Sequence, residues 1–176
     1  MIRIISSRAG FTLIELIMVI AILGILAIIT TPRFISLNES GQISVLRGVS
    51  GGYAVSIGTA RAKLLAMGLE GPADDVQIYS GGTAGLLDFN SYGWPSQHWT
   101  GGKESNPTLN NVSDCLSVFE TILMGTVTVA IDLSQKFKAE YLGSGQCQYF
   151  LSANVNISFS YNSRTGEVTI DDDPAP

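Results

Sequence analysis

The chain has 176 residues, 45% of them hydrophobic, with a mean hydropathy of +0.28 and a formal charge of −5. Its ten Lys and Arg are scattered rather than clustered, which argues against a nucleic-acid groove, since a phosphate backbone needs grouped cations. One histidine and no Gly-x-Ser-x-Gly, phosphate-loop or His-Glu-x-x-His pattern leave little from which to build an active site, so no enzymatic activity is expected.

The first segment, Met1 to Gly10, carries Arg3 and Arg8 and no acid. The positive-inside bias places such a leader on the cytoplasmic side of a membrane. From Phe11 to Thr31 the only charge is Glu15, and about 20 apolar residues suffice for a spanning helix. A secretory signal places its small-residue cleavage site after the apolar core, whereas here Ala9 and Gly10 precede it. Cleavage after Gly10 therefore removes the leader and keeps the apolar helix, and losing Arg3 and Arg8 takes the charge from −5 to −7.

Glu15 is the anomaly in this run. A carboxylate at mid-membrane costs ~2.5–3.5 kcal/mol on insertion scales and marks a functional pairing. Four residues beyond Phe11, at a rise of 1.5 Å each, it lies about 6 Å from the end that cleavage creates. It either rests in the headgroup zone or pairs with the α-amino group of Phe11 on a neighbouring subunit, and the flanking motif favours the pairing.

The stretch Gly10-Phe11-Thr12-Leu13-Ile14-Glu15-Leu16, followed by Val19-Ile20-Ala21-Ile22-Leu23-Gly24-Ile25-Leu26-Ala27 and Pro32, resembles the type IV pilin family, which includes the pseudopilins of type II secretion. The resemblance implies that a prepilin peptidase cuts after Gly10 and N-methylates Phe11, and that Glu15 directs assembly. Its partners would be other pilin subunits in a helical polymer, the peptidase and an inner-membrane assembly platform, with no cofactor and no metal. The precursor would cross the inner membrane once, N-terminus in the cytoplasm, before joining an extracellular filament. The runs Arg33-Phe34-Ile35-Ser36-Leu37 and Ile43-Ser44-Val45-Leu46-Arg47-Gly48 look like the mannose-sensitive haemagglutinin (MSHA) pilins.

From Pro32 to about Leu69 the helix is expected to continue in amphipathic form. Leu46, Val49, Tyr53, Ile57, Ala60, Leu64 and Met67 recur at spacings of three and four and form a stripe that should pack on a sheet. Arg47, Arg61 and Lys63 fall elsewhere, towards water or adjacent subunits. Gly41, Gly48, Gly51, Gly52 and Gly58 each cost about 1 kcal/mol against alanine, and close packing against the head is the expected reason for them. Pro32 lacks an amide and clashes with the carbonyl of Ile28 at about 3 kcal/mol. Residues between Gly24 and Pro32 should be helical or gently kinked in the isolated subunit and able to unwind in a filament.

A Gly/Pro/Ser-rich middle follows, with short strands at Val76 to Tyr79 and Leu86 to Phe89. Its aromatics Tyr92, Trp94 and Trp99, near His98, form either a surface-binding loop or, more in keeping with such clusters, a small satellite core. Ser113-Asp114-Cys115 opens a helix capped by Ser113 or Asp114, with Leu116, Phe119, Ile122 and Leu123 buried. Strands are expected at Val127 to Ile131, Phe137 to Tyr141, Cys147 to Leu151, Val155 to Tyr161 and Val168 to Ile170, joined as antiparallel hairpins, the last through Asn162 to Gly166.

Cys115 and Cys147 both fall in the exported half, where an even count reads as a disulfide. Closing that loop stabilises by roughly 3–4 kcal/mol in the chain-entropy model. A metal site would need ligands beyond two thiols, and His98 is far away in sequence. Asp171-Asp172-Asp173 reads as a solvated acidic tail rather than a calcium site.

The expected architecture is α+β, a long N-terminal helix whose second half packs on a C-terminal antiparallel sheet. Its divisions are a cleaved leader (1–10), a transmembrane assembly helix (11–31), an amphipathic continuation (32–69) and a globular head with the disulfide-bounded loop (70–176). The expected role is a major or minor pilus subunit supporting surface adhesion. A type II secretion pseudopilin and a tip-located binding subunit are the alternatives.

Overall fold

The computed structural model describes residues 10–98 and 101–174, with the backbone alone for residues 30–36. The order of elements is α1 (Leu13–Ala66), β1 (Ala73–Gln77), a 3-10 turn (Gly82–Gly85), β2 (Leu86–Phe89), β3 (Pro95–Gln97), α2 (Val112–Ile122), β4 (Val129–Ala130), β5 (Phe137–Gly143), β6 (Gln146–Leu151), β7 (Asn154–Asn162) and β8 (Glu167–Asp171). This is the expected α+β arrangement of an N-terminal helix and a C-terminal, mainly antiparallel sheet. The chain divides into two compact units, Met1–Ser40 and Gly41–Pro176, and α1 contributes to both.

In the first unit, every side chain from Phe11 to Ile29 is exposed, including Leu13, Ile14, Leu16 and Ile28. The backbone is helical through Gly24 and Pro32 without interruption.

The second unit holds the core. Leu46, Tyr53, Ile57, Ala60 and Leu64 of α1 are buried, which places the predicted stripe against the sheet. Tyr53 lies at its centre, with ring centroids of Phe159 at 5.4 Å, Tyr149 and Tyr161 at 5.7 Å and Phe119 at 5.8 Å. Met67 falls off the stripe and is exposed, because the helix has ended at Ala66. Gly68 (φ 78°) closes it in a Schellman arrangement, its amide donating to Leu65 O at 2.9 Å and that of Leu69 to Leu64 O at 3.2 Å.

The glycines of α1 correct an expectation. A Cβ placed on Gly41, Gly48, Gly51, Gly52 or Gly58 would meet nothing within 4 Å among the described residues, so packing among these does not account for them. The cations correct another, since all three turn onto the head. Arg47 Nε donates to Asp172 Oδ2 at 2.6 Å, Arg61 Nη1 donates to Tyr92 O at 3.0 Å, and Lys63 Nζ donates to Ile78 O. Asp172 is thus half-buried in an ion pair rather than part of a free acidic tail.

One sheet runs β1-β2-β3 and is antiparallel, the other β4-β5-β6-β7-β8. The first strand sits earlier than Val76 to Tyr79, since the chain at Ile78 and Tyr79 instead folds onto Gly85 O. β3 arises inside the stretch expected to be loop. β4 is short and pairs parallel to β5, with Val129 opposite Phe137, so the expected hairpin there is absent. β5 to β8 are antiparallel, with Ala139 opposite Tyr149 and Tyr149 opposite Phe159. Register shifts beside Leu151, and Val155 turns outward at 49% exposure instead of continuing the buried row of Ile157, Phe159 and Tyr161.

Cys115 of α2 and Cys147 of β6 form a disulfide, with both residues fully buried. The cap of α2 is Asn111 rather than Ser113 or Asp114, its side chain accepting from Asp114 N at 3.0 Å. Asp114 lies at N3, where its carboxylate accepts from Asn110 N and Asn111 Nδ2, each at 2.9 Å. Val118, Phe119 and Ile122 bury the inner face of α2, with Leu116 and Leu123 half-buried against it.

Candidate assembly site at the N-terminus

Thr12 and Glu15 form a reciprocal cap at the start of α1. Glu15 Oε2 accepts from Thr12 N and from Thr12 Oγ1, each at 2.9 Å, while Glu15 N donates to Thr12 Oγ1 at 3.3 Å. This satisfies amides that the first helical turn leaves open, as a Ser/Thr-x-x-Glu capping box does. The local role of Glu15 goes beyond the headgroup and pairing readings, and its signal was the spacing Thr12-Leu13-Ile14-Glu15 itself. The carboxylate remains exposed beside Phe11, whose side chain is 82% exposed.

Among the described residues nothing lies within 4 Å of a Cβ placed on Gly10. The rest of the leader lies outside the described residues. Gly24 is likewise open, and Pro32 is described by its helical backbone alone. Among the described residues no helix is long and apolar enough to cross a membrane. The run with described side chains, Leu13 to Ile29, stops short of the ~20 residues that crossing needs.

Residues 5–31 match the family described as the prokaryotic N-terminal methylation motif, which spans the Gly10-Phe11 junction, Glu15 and Gly24. Over this segment the chain is similar to the N-terminal methylation motif found in type IV pilins. A fimbrial protein of Moraxella nonliquefaciens is 39% identical over 89 residues, covering 48% of this chain and 58% of its own length. The chain therefore matches little more than half the length of that relative. No solved structure matches it.

The aromatic loop divides. Trp94 is half-buried against the core, with the Arg61 guanidinium carbon 4.0 Å from its ring centroid and Gly166 (φ 75°) against the ring. A side chain at Gly166 would collide with that ring, so the turn before β8 and Trp94 fit only with glycine there. Tyr92 stands exposed at 54%, and Trp99 lies outside the described residues. His98 Nδ1 is 2.7 Å from Leu86 O, and no group of three or more metal-ligating side chains occurs among the described residues.

Proposed function

We propose that the chain is a structural subunit of a type IV pilus of the MSHA kind. One observation carries the reading, the uniformly exposed apolar run from Phe11 to Ile29, bearing a single carboxylate and opening at a Gly-Phe junction. An exposed surface of this kind must be covered, first by lipid and then by the helices of other subunits. In this reading prepilin peptidase cuts after Gly10 and methylates Phe11. Residues 11–31 hold the precursor in the inner membrane with its N-terminus in the cytoplasm. An assembly platform then lifts it into the extracellular filament, where residues 32–69 and the head 70–176 form the shaft and surface. Gly24 and Pro32 bracket the part of α1 able to unwind on assembly. Glu15 sets register by pairing with the charged amino group of Phe11 on the neighbour.

The open glycine face of α1 supports the same reading. A Cβ on Gly41, Gly48, Gly51, Gly52 or Gly58 would meet nothing among the described residues, and small residues let helix backbones approach closely.

Glu15 separates the roles of register and cap. Glu15→Gln keeps an acceptor for Thr12 and the capping box but removes the charge. Both Glu15→Gln and Glu15→Ala should be inserted and processed yet enter sheared surface filaments at about a tenth of the wild-type level or less, if losing a charged pair costs ~1.4 kcal/mol per subunit. Normal incorporation of Glu15→Gln would remove the pairing. Comparing piliation with exoprotein secretion in a deletion strain separates the pilus from a secretion pseudopilus. Labelling confined to filament tips would mark a minor binding subunit instead.

A further inference from the structure

Turns 90–92, 144–145 and 163–164 and the stretch 108–110 converge around an open groove of about 470 Å³. The floor is fixed. Asn90 is 4% exposed, donates from Nδ2 to Ser163 O at 2.6 Å, and accepts at Oδ1 from Tyr92 N and Trp94 N at 3.0 and 3.2 Å. Ser163 donates to Gly145 O from both its amide and its hydroxyl at 2.9 Å, and Gly145 N donates to Tyr141 Oη at 3.4 Å. Ser144 holds a left-handed backbone (φ 53°), a conformation that costs a non-glycine residue energy and gathers at binding sites.

What faces the groove has a distinct chemistry. Tyr92 and Tyr141 supply flat, amphipathic rings, and Ser91, Thr108, Asn110 and Ser144 supply neutral polar groups. Arg164 is the one charged residue lining it, and its exposed guanidinium makes no ion pair among the described residues. In a chain of net charge −5, a cation standing in an otherwise neutral groove selects an anion. Apart from Tyr141 of β5, the lining residues come from turns and loops. Rigid rings with convergent polar groups and one planar cation suit a ring-shaped, hydroxyl-rich ligand carrying a carboxylate.

We propose that this groove binds an acidic saccharide, with the sugar ring against Tyr92 and Tyr141 and its carboxylate on Arg164. The proposal goes beyond filament assembly and does not depend on it, because the groove is built wholly from residues of one subunit.

The test is calorimetric titration of the full chain in detergent micelles with a galacturonic acid oligomer and, separately, with a neutral glucose oligomer. Saturable binding of the uronate is expected, weakened at least about tenfold by Arg164→Gln, the size of one lost charge-assisted contact. Tyr92→Ala should weaken it as well. Lys136→Gln, an equal change of charge just before the start of β5, should leave it unchanged. Each variant is checked for the intact disulfide and wild-type thermal unfolding. No saturable binding of the uronate, equal binding of the neutral oligomer, or an Arg164→Gln variant that binds as wild type would each overturn the proposal.

Discussion

Three tyrosine hydroxyls lie fully inside the head, and each is spoken for differently. Tyr149 donates to Cys115 O at 2.8 Å and Tyr161 to Pro95 O at 2.7 Å. Tyr53 lies 3.5 Å from the Tyr149 hydroxyl, whose proton is already given to Cys115, so Tyr53 is the donor of that pair. Burial pushes all three phenols above their ordinary range, with Tyr149 and Tyr161 adding to the effect at Tyr53. Below the unfolded value of about 10 the rings are neutral whether folded or not, so stability is unaffected there. As pH rises through about 10, the unfolded chain releases protons that the folded chain keeps, and stability falls by about 1.4 kcal/mol per pH unit for each such tyrosine. Urea unfolding between about pH 8 and 12 should show this decline, made shallower by Tyr161→Phe. A flat profile would mean that the rings ionise in the folded state. Tyr53 was legible in the sequence as one point of a periodic stripe. The hydroxyl partners were not, because they come from α2 and from the Pro95 strand, far along the chain. The capping roles illustrate the same limit in reverse. Asn111 outcompetes Ser113 because Asp114, three residues on, supplies the returning acceptor, whereas Thr12 and Glu15 show that pattern openly in sequence.

At the scale of elements, periodicity served well where strands are long and paired on both sides. β5, β6, β7 and most of β8 fall where alternation places them, and Leu86–Phe89 likewise. It served poorly for β1, β3 and β4, which are short and either irregular in register or paired in parallel, so that few residues carry the signal. In α1 the buried stripe was plain, whereas composition could not tell whether its glycines face the sheet or away from it. That they meet nothing has a measurable consequence. Gly48→Ala and Gly58→Ala add a methyl into open space on a helical backbone and should each stabilise the detergent-solubilised chain by about 0.5–1 kcal/mol. Thermal unfolding checks this, and destabilisation would show that the helix is not tolerant there. The same substitutions should lower filament yield where a neighbouring backbone approaches.

At the scale of the molecule, the chain combines a motif-bearing unit and a head stapled by Cys115–Cys147, and the two were legible to different degrees. The N-terminal assignment rests on consecutive residues and was readable at once. The groove ringed by Tyr92, Tyr141 and Arg164 was not, because its residues are separated by long stretches of chain and only the turns of the fold bring them together. Trp94, grouped with Tyr92 by sequence proximity, serves the core through Arg61 and Gly166.

The inward turn of Arg47, Arg61 and Lys63 reaches further than the contacts it makes. From Gly41 to Ala66 these are the only charged residues of α1, and each is engaged with the head. The stripe through Gly48, Gly52, Val55 and Thr59 carries no charge, and Lys63, one turn further on, is drawn to Ile78 O. Salt screens exposed charges separated by more than about 8–10 Å at ordinary ionic strength, but it has little to act on here, and excluded salts such as sulfate strengthen apolar contact. Assemblies joined through this side should therefore survive washing in concentrated sodium chloride and come apart in detergent, as sedimentation before and after each wash would show. Dispersal by sodium chloride alone would mean that a charged contact elsewhere holds the subunits together.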